Sequence, residues 1–142
     1  MVQLAFAMLT HPTRIQRRRT AGWTAPLDTQ GQRPVYVGRP TRWGNPWAVT
    51  ETSSGHWTIT RDWRGGWDAG PVYATTSDEA RRSAVGLYRE WLTANPDLAR
   101  RVRDLAGRDL ACWCPLPEPG QPDHCHAAVL LDLANTPAPA AG

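Results

Sequence analysis

The sequence predicts an α/β fold, with one small domain in which a short, mostly parallel sheet is flanked by about three helices. The length of 142 residues suits a single domain. The composition, 41% hydrophobic and 20% charged residues, is that of a globular protein. Short strand-like segments alternate with helix-like segments, and strands separated by helices usually pair in parallel.

The predicted domain covers residues 13–135 and carries a hairpin-like insertion at residues 48–75. Residues 1–12 are predicted to be an N-terminal extension, and residues 136–142, which are rich in proline and alanine, a flexible tail. The apolar run at the start has no basic residues before it and is too short to span a bilayer. Three cysteines do not make a secreted disulfide scaffold. We therefore expect a cytoplasmic protein with no membrane partner.

The first half of the chain predicts short strands joined by turns. Residues 13–19 (TRIQRRR) predict either an exposed strand or a basic arm. Residues 34–38 (PVYVG) predict a strand that ends at glycine. Residues 39–47 hold two prolines, a glycine and an Asn-Pro pair, so they predict a structured loop. Strand character returns at residues 56–60 and 72–75 within the insertion.

The second half predicts two helices, a strand and a final helix. Thr76 and Glu79 form a capping-box pattern, and the apolar residues that follow recur at helical spacing up to Leu92. Asn95 and Pro96 then begin a second helix that Gly107 ends. Residues 109–114 (DLACWC) predict a strand, and residues 126–135 predict a largely buried helix.

The first candidate site consists of four residues in the pattern C-x-C-x10-C-H: Cys112, Cys114, Cys125 and His126. Side chains two apart on a strand face the same way, and a cysteine at a helix N-terminus favours the thiolate. Three interpretations stay open. The four residues bind zinc, or Cys114 or Cys125 is a catalytic thiol with a histidine as base, or the cysteines only pack in the core.

The second candidate site is the loop that follows the strand at residues 34–38. It contains five candidate ligand-binding residues: Arg39, Arg42, Trp43, Gly44 and Asn45. Arginine binds phosphate or carboxylate through two parallel hydrogen bonds, glycine permits close approach, and tryptophan offers a stacking face. The alternative is that the tryptophans pack in the core and the arginines are solvated. Because both this loop and the predicted C-W-C segment leave strands at their carboxyl ends, a shared pocket is expected.

The third candidate site is a basic arm with four candidate nucleic-acid-binding residues: Arg14, Arg17, Arg18 and Arg19. All sixteen basic residues of the chain are arginines, which excludes lysine chemistry. The net charge of +3 divides into +5 for residues 1–75 and −2 for residues 76–142. The first half is therefore the candidate surface for an anionic partner, although a solvated strand edge also explains the arm.

Four segments resemble a family of small bacterial and phage proteins catalogued as domain of unknown function 4326. They are RIQRRRTAGW (14–23), VYVGRPTRWGNPW (35–47), GRDLACWCP (107–115) and CHAAVLLDLAN (125–135). The resemblance implies that the G-R, W-G-N-P, C-W-C and C-H motifs mark the family. It implies no activity. Many members carry an acid two residues after the C-H pair, where this chain has Ala128.

Together these observations favour an enzyme directed at a nucleotide or nucleic acid, with an arginine, tryptophan and asparagine loop that faces the cysteine–histidine site. The alternative is a non-enzymatic nucleic-acid-binding module stabilised by zinc on three cysteines and a histidine. The sequence leaves open whether the protein is an enzyme. The P-loop, G-x-S-x-G and H-E-x-x-H motifs are all absent.

Overall fold

The computed structural model describes residues 11–61 and 72–136, and they form two three-stranded sheets. The first sheet is parallel, with strand order β1-β6-β2. Its strands are β1 (Arg14–Gln16), β2 (Val35–Tyr36) and β6 (Leu110–Cys112). The second sheet is antiparallel, with strands β3 (Trp47–Glu51), β4 (Trp57–Arg61) and β5 (Val72–Ala74).

Helices cover both sheets. The α-helices of the described residues are α1 (Ser77–Thr93), α2 (Pro96–Arg101) and α3 (His126–Asn135). A short 3-10 helix, Val102–Leu105, continues from α2. The predicted α/β class and the three helices are thus confirmed.

The expectation of a mostly parallel sheet is only partly right, because one of the two sheets is antiparallel. Only a short turn separates β3 from β4, and a short connection joins strands antiparallel, whereas a parallel pair needs a long crossover. β3 itself was not predicted as a strand. It begins at Trp47, which the sequence analysis assigned to the end of the loop at residues 39–47.

β6 lies between β1 and β2 and is buried along its whole length. The Arg17 amide donates to the Cys112 carbonyl at 2.8 Å, and the Val37 amide donates to Ala111 at 3.0 Å. These bonds keep the parallel pairing in register to the strand ends. The chain segments that leave β2 and β6 therefore emerge at the same edge of the sheet, as the sequence predicted.

Helix α1 joins the two sheets into one core. The Thr76 side chain accepts a hydrogen bond from the Glu79 amide at 3.1 Å, which confirms the predicted cap. Ala80 and Ala84 pack against the antiparallel sheet, whereas Tyr88 and Leu92 pack in the core beside the parallel sheet. The apolar stripe of α1 thus contacts both sheets.

Tyr88→Phe is expected to lower the free energy of unfolding by about 1–3 kcal/mol, because it leaves a buried carbonyl unpaired. Tyr88 is 0% exposed, and its hydroxyl donates to the Trp43 carbonyl at 2.7 Å. Burial raises the pKa of Tyr88, so the hydroxyl stays a donor. Urea denaturation measures the change. Tyr73→Phe is the control, since Tyr73 is exposed on β5. Equal stabilities for the two variants would contradict the prediction.

None of the helices in the described ranges has the length and apolar character needed to cross a membrane. Some predicted segments lie outside the described residues. These are residues 1–10 of the predicted extension, residues 62–71 of the predicted insertion and residues 137–142 of the predicted tail.

Candidate metal centre

The carboxyl end of β6 and the amino end of α3 bring the Cys112 and Cys125 thiols and the His126 imidazole together. Cys112 ends β6, and Cys125 directly precedes His126, the first residue of α3. The ligand atoms of these three residues all lie within 4.8 Å of one another. The Cys114 Sγ lies 3.6 Å from the Cys112 Sγ. The structure therefore brings Cys112, Cys125 and His126 within metal-binding distance of one another, and Cys114 lies beside Cys112 but outside that group.

The orientation of His126 leaves one ring nitrogen for this cluster. Its Nε2 lies 2.8 Å from the Val37 carbonyl, and since a carbonyl oxygen only accepts, Nε2 carries the proton. Nδ1 then presents its lone pair to the thiols and lies 3.9 Å from the Cys125 Sγ. Metal-binding histidines are oriented in this way by a backbone carbonyl or a carboxylate on the other nitrogen.

The three thiols influence one another's ionisation. Hydrogen bonding with Cys114, then with Cys125, lowers the pKa of Cys112. The hydrogen bond between Cys112 and Cys114 raises the pKa of Cys114 to about 11. The hydrogen bond between Cys112 and Cys125 raises the pKa of Cys125. The ionisation of the three thiols is therefore coupled, and a bound cation would stabilise their thiolate forms together.

The spacing within the cluster is compatible with a metal site, and the cluster residues also line a cleft. Zinc–sulfur bonds of about 2.3 Å in a tetrahedron place the ligand atoms about 3.8 Å apart. The observed separations from Cys112 to Cys114 and from Cys125 to His126 are 3.6 and 3.9 Å. Cys125 is only 1% exposed, whereas a catalytic nucleophile must be within reach of its substrate. Cys114 is half-buried, and it is the predicted catalytic thiol that solvent reaches more readily.

Arg14, predicted to belong to a nucleic-acid-binding arm, is instead buried beside the cluster and only 7% exposed. Its Nε and Nη2 donate to the Asp123 carboxylate at 2.5 and 2.9 Å. Its Nη1 and Nη2 also donate to the Cys114 and Pro115 carbonyls. Burial by itself lowers the pKa of Arg14, but the hydrogen bond with Asp123 and the nearby thiols raise it overall. The Arg14 guanidinium therefore braces the segment between Cys114 and Cys125, and its side chain is only 3% exposed.

The loop at residues 38–46 uses three of its predicted ligand-binding residues for its own structure. Trp43 is 8% exposed and packs in the core. The Asn45 side chain donates to the Ala84 carbonyl at 3.3 Å and accepts from the Trp47 amide at 2.9 Å. A Cβ on Gly44 would lie 3.2 Å from the Arg39 Cα, closer than ordinary contact. Trp43 and Gly44 therefore shape the loop, whereas Asn45 braces the loop and also lines a cleft beside the cysteine–histidine cluster.

The two arginines of this loop, Arg39 and Arg42, lie on different surfaces of the protein. Arg39 is exposed, and its Nε donates to the Asn45 carbonyl at 2.8 Å. It lines a cleft of about 420 Å³ next to the cysteine–histidine cluster. Arg42 lies on another surface, in a pocket with Asn95 and Arg101. Only Arg39 is therefore placed with the cluster, and the predicted pairing of both arginines on one ligand is not observed.

The cleft contains residues from both strand-end segments, so the predicted shared pocket is present in the structure. Its lining also includes Tyr36, Arg81 and Trp113, which the sequence analysis did not identify as site residues. Arg17 lies over the rings of Tyr36 and Trp113, at 4.7 and 4.9 Å from their centroids. Arg19 lies 4.5 Å from the centroid of Trp113. The position of Trp113 between two same-facing cysteines was the one sequence signal available for it.

No curated protein matches the chain significantly. No solved structure matches it either. The protein-family model described as Domain of unknown function (DUF4326) matches residues 15–136, which include the whole cysteine–histidine cluster and the cleft. The chain belongs to the DUF4326 family.

Proposed function

We propose that this protein is a zinc-stabilised module that binds the phosphate of a nucleotide or nucleic acid. The observation that carries the proposal is the buried cluster in which Val37 orients His126 toward three thiols. Cys112, Cys114, Cys125 and His126 are the proposed zinc ligands. Sulfur and imidazole ligands are those that zinc prefers, and a set of four such ligands is typical of structural sites.

Zinc at this position would link three segments of the chain to one another. The ligands come from β6, from the irregular segment after it and from α3, and proline-rich chain separates the second cysteine from the third. A structural zinc ion contributes its binding energy directly to folding. We therefore assign zinc the role of holding the walls of the cleft in place.

Positive charge on the cleft supports an anionic ligand. Arg39 and Arg81 both line it, and no acidic residue of the described ranges does. Guanidinium groups bind phosphate through paired hydrogen bonds. Arg81 also lies 3.7 Å from Asp78, but an exposed pair of this kind is weak and yields readily to a phosphate.

Elemental analysis of the purified chain tests the zinc site, with one zinc ion per chain expected. Chelation should then lower the melting temperature and the helical circular dichroism together, because the metal and the fold are coupled. A metal-free chain that stays folded and carries one unusually reactive thiol would contradict the proposal. That outcome would support the enzyme instead, with Cys114 as its nucleophile, since Cys114 lines the cleft and is partly exposed.

Arg81→Ala tests the anion site. We expect it to weaken binding of a fluorescein-labelled single-stranded DNA and to make the slope of log affinity against log salt shallower by about 0.7. Arg82→Ala is the matched control, because Arg82 neighbours Arg81 on α1 and is exposed outside the cleft lining. Fluorescence anisotropy between about 50 and 200 mM salt measures both variants. Binding that does not depend on salt would overturn the phosphate contacts.

A further inference from the structure

We infer that the ligand of the cleft is single-stranded nucleic acid, with a base stacked on Trp113 and phosphates bound by the arginines around it. The inference rests on the proposed function and names its substrate class. The arginines are those in contact with Trp113 or in the cleft lining: Arg17, Arg19, Arg39 and Arg81.

Trp113 is an exposed aromatic ring held on a rigid segment. It is 36% exposed at the cleft, although the residues on either side of it, Cys112 and Cys114, belong to the cysteine–histidine cluster. The neighbouring cysteines hold the backbone of Trp113 from both sides, so the ring has little freedom to fold into the core. A large exposed ring that is kept in place is a typical interaction site.

The arginines next to Trp113 place positive charge beside a stacking surface. Arg17 is half-buried and lies over both Tyr36 and Trp113, whereas Arg19 is exposed. Arg19 can therefore give up its contact with the ring to an incoming base and turn toward a phosphate. Aromatic faces that alternate with guanidinium groups are the usual means of binding single strands, because every base has a stacking face.

A duplex fits this site poorly. Its bases are stacked on each other, so their faces are not available to Trp113, whereas a single strand exposes them. A mononucleotide uses the ring and one or two arginines, while a strand reaches the arginines on both sides of Trp113. Four phosphate contacts on a single strand predict a slope of log affinity against log salt of about −3.

The test uses the full chain, purified with its zinc, and a fluorescein-labelled thymidine oligonucleotide of about 12 nucleotides. Trp113→Ala is expected to weaken binding by about 5- to 150-fold, and Trp113→Phe to keep most of the affinity, since base–aromatic stacking is lost in one and retained in the other. Tyr73→Ala is the control for removing an exposed aromatic side chain, because Tyr73 lies on β5 away from the cleft lining.

Three outcomes overturn this inference and leave the proposed function standing: a Trp113→Ala variant that binds as tightly as the parent, a duplex of the same length bound more tightly than the single strand, or ATP bound as tightly as the oligonucleotide. In each case zinc content and salt-dependent phosphate binding persist. Failure of the folded, zinc-loaded chain to bind any of these probes overturns both.

A second variant keeps the test valid if Trp113→Ala loses zinc or unfolds. Arg19→Ala removes an exposed side chain and is expected to weaken oligonucleotide binding and to make the salt slope shallower by about 0.7. The control is Arg103→Ala, because Arg103 is exposed on the 3-10 helix that precedes β6 and lies outside the cleft lining. Equal affinities for the two variants would overturn the role of Arg19.

Discussion

Cys125→Ser is expected to abolish stoichiometric zinc binding and to leave most of the chain unfolded. Serine is close to cysteine in size, so the exchange at this 1% exposed position leaves almost no cavity. It does remove a thiolate ligand, and zinc sites in small domains contribute about 10–16 kcal/mol of apparent binding energy. Domains of this length have only about 5–15 kcal/mol of stability. Elemental analysis and far-ultraviolet circular dichroism measure the two effects.

The matched control for this change is His124→Ala. His124 directly precedes Cys125 and is half-buried, but its imidazole lies near Asp78 and outside the cluster of metal-ligating atoms. We expect this variant to retain zinc and fold. If Cys125→Ser instead stayed folded with its metal but lost an activity, Cys125 would be a catalytic residue and the structural zinc site would be wrong.

Arg14→Leu is expected to lower the free energy of unfolding by about 3–5 kcal/mol, the usual cost of removing one partner of a buried ion pair. The Asp123 side chain is 22% exposed, so its charge would be left largely without compensation. The carbonyls of Cys114 and Pro115 would lose their donors as well. Because those carbonyls belong to the segment that carries a zinc ligand, zinc affinity should fall too. Urea denaturation and competition with a chelator measure the two losses.

Arg18→Ala provides the comparison for Arg14, because Arg18 is exposed four residues along the same arginine-rich segment. Its effect on stability should stay within about 0.5 kcal/mol. Arg14→Lys should recover only part of the loss, since an ammonium group lacks the planar set of donors that reaches Asp123 and two carbonyls together. A loss for Arg14→Leu no larger than that for Arg18→Ala would contradict the structural role of Arg14.

The cysteine–histidine cluster could be predicted from sequence because its geometry is local at both ends. Cys112 and Cys114 are separated by one residue, although β6 ends at Cys112 and not at residue 114 as predicted, and Cys125 adjoins His126 at a helix start. One long-range contact, between β6 and α3, is then enough to bring the two pairs of residues together. The parallel sheet was predictable for a similar reason, since strands separated by helices usually pair in parallel.

The loop at residues 38–46 shows where such reasoning fails. Tryptophan and asparagine serve a ligand and a core equally well, so residue type does not distinguish Trp43 as a core residue or Asn45 as a loop brace. The same holds for β3, a strand of five residues whose pattern is too short to separate from the preceding loop. Trp113 and Arg81 were missed because their roles depend on which neighbours face the cleft.

The sequence by itself identified the residues of the cysteine–histidine cluster as a candidate site, and it determined the family and the α/β class. Only the tertiary structure decided which contacts the side chains of His126 and Arg14 make. His126 presents Nδ1 to the thiols because its Nε2 donates to Val37, 89 residues away along the chain. Arg14 became a brace because β1 pairs with β6, which brings it to Asp123. Hydrogen bonds between segments so far apart exist only after the sheet has assembled, so no local pattern encodes them.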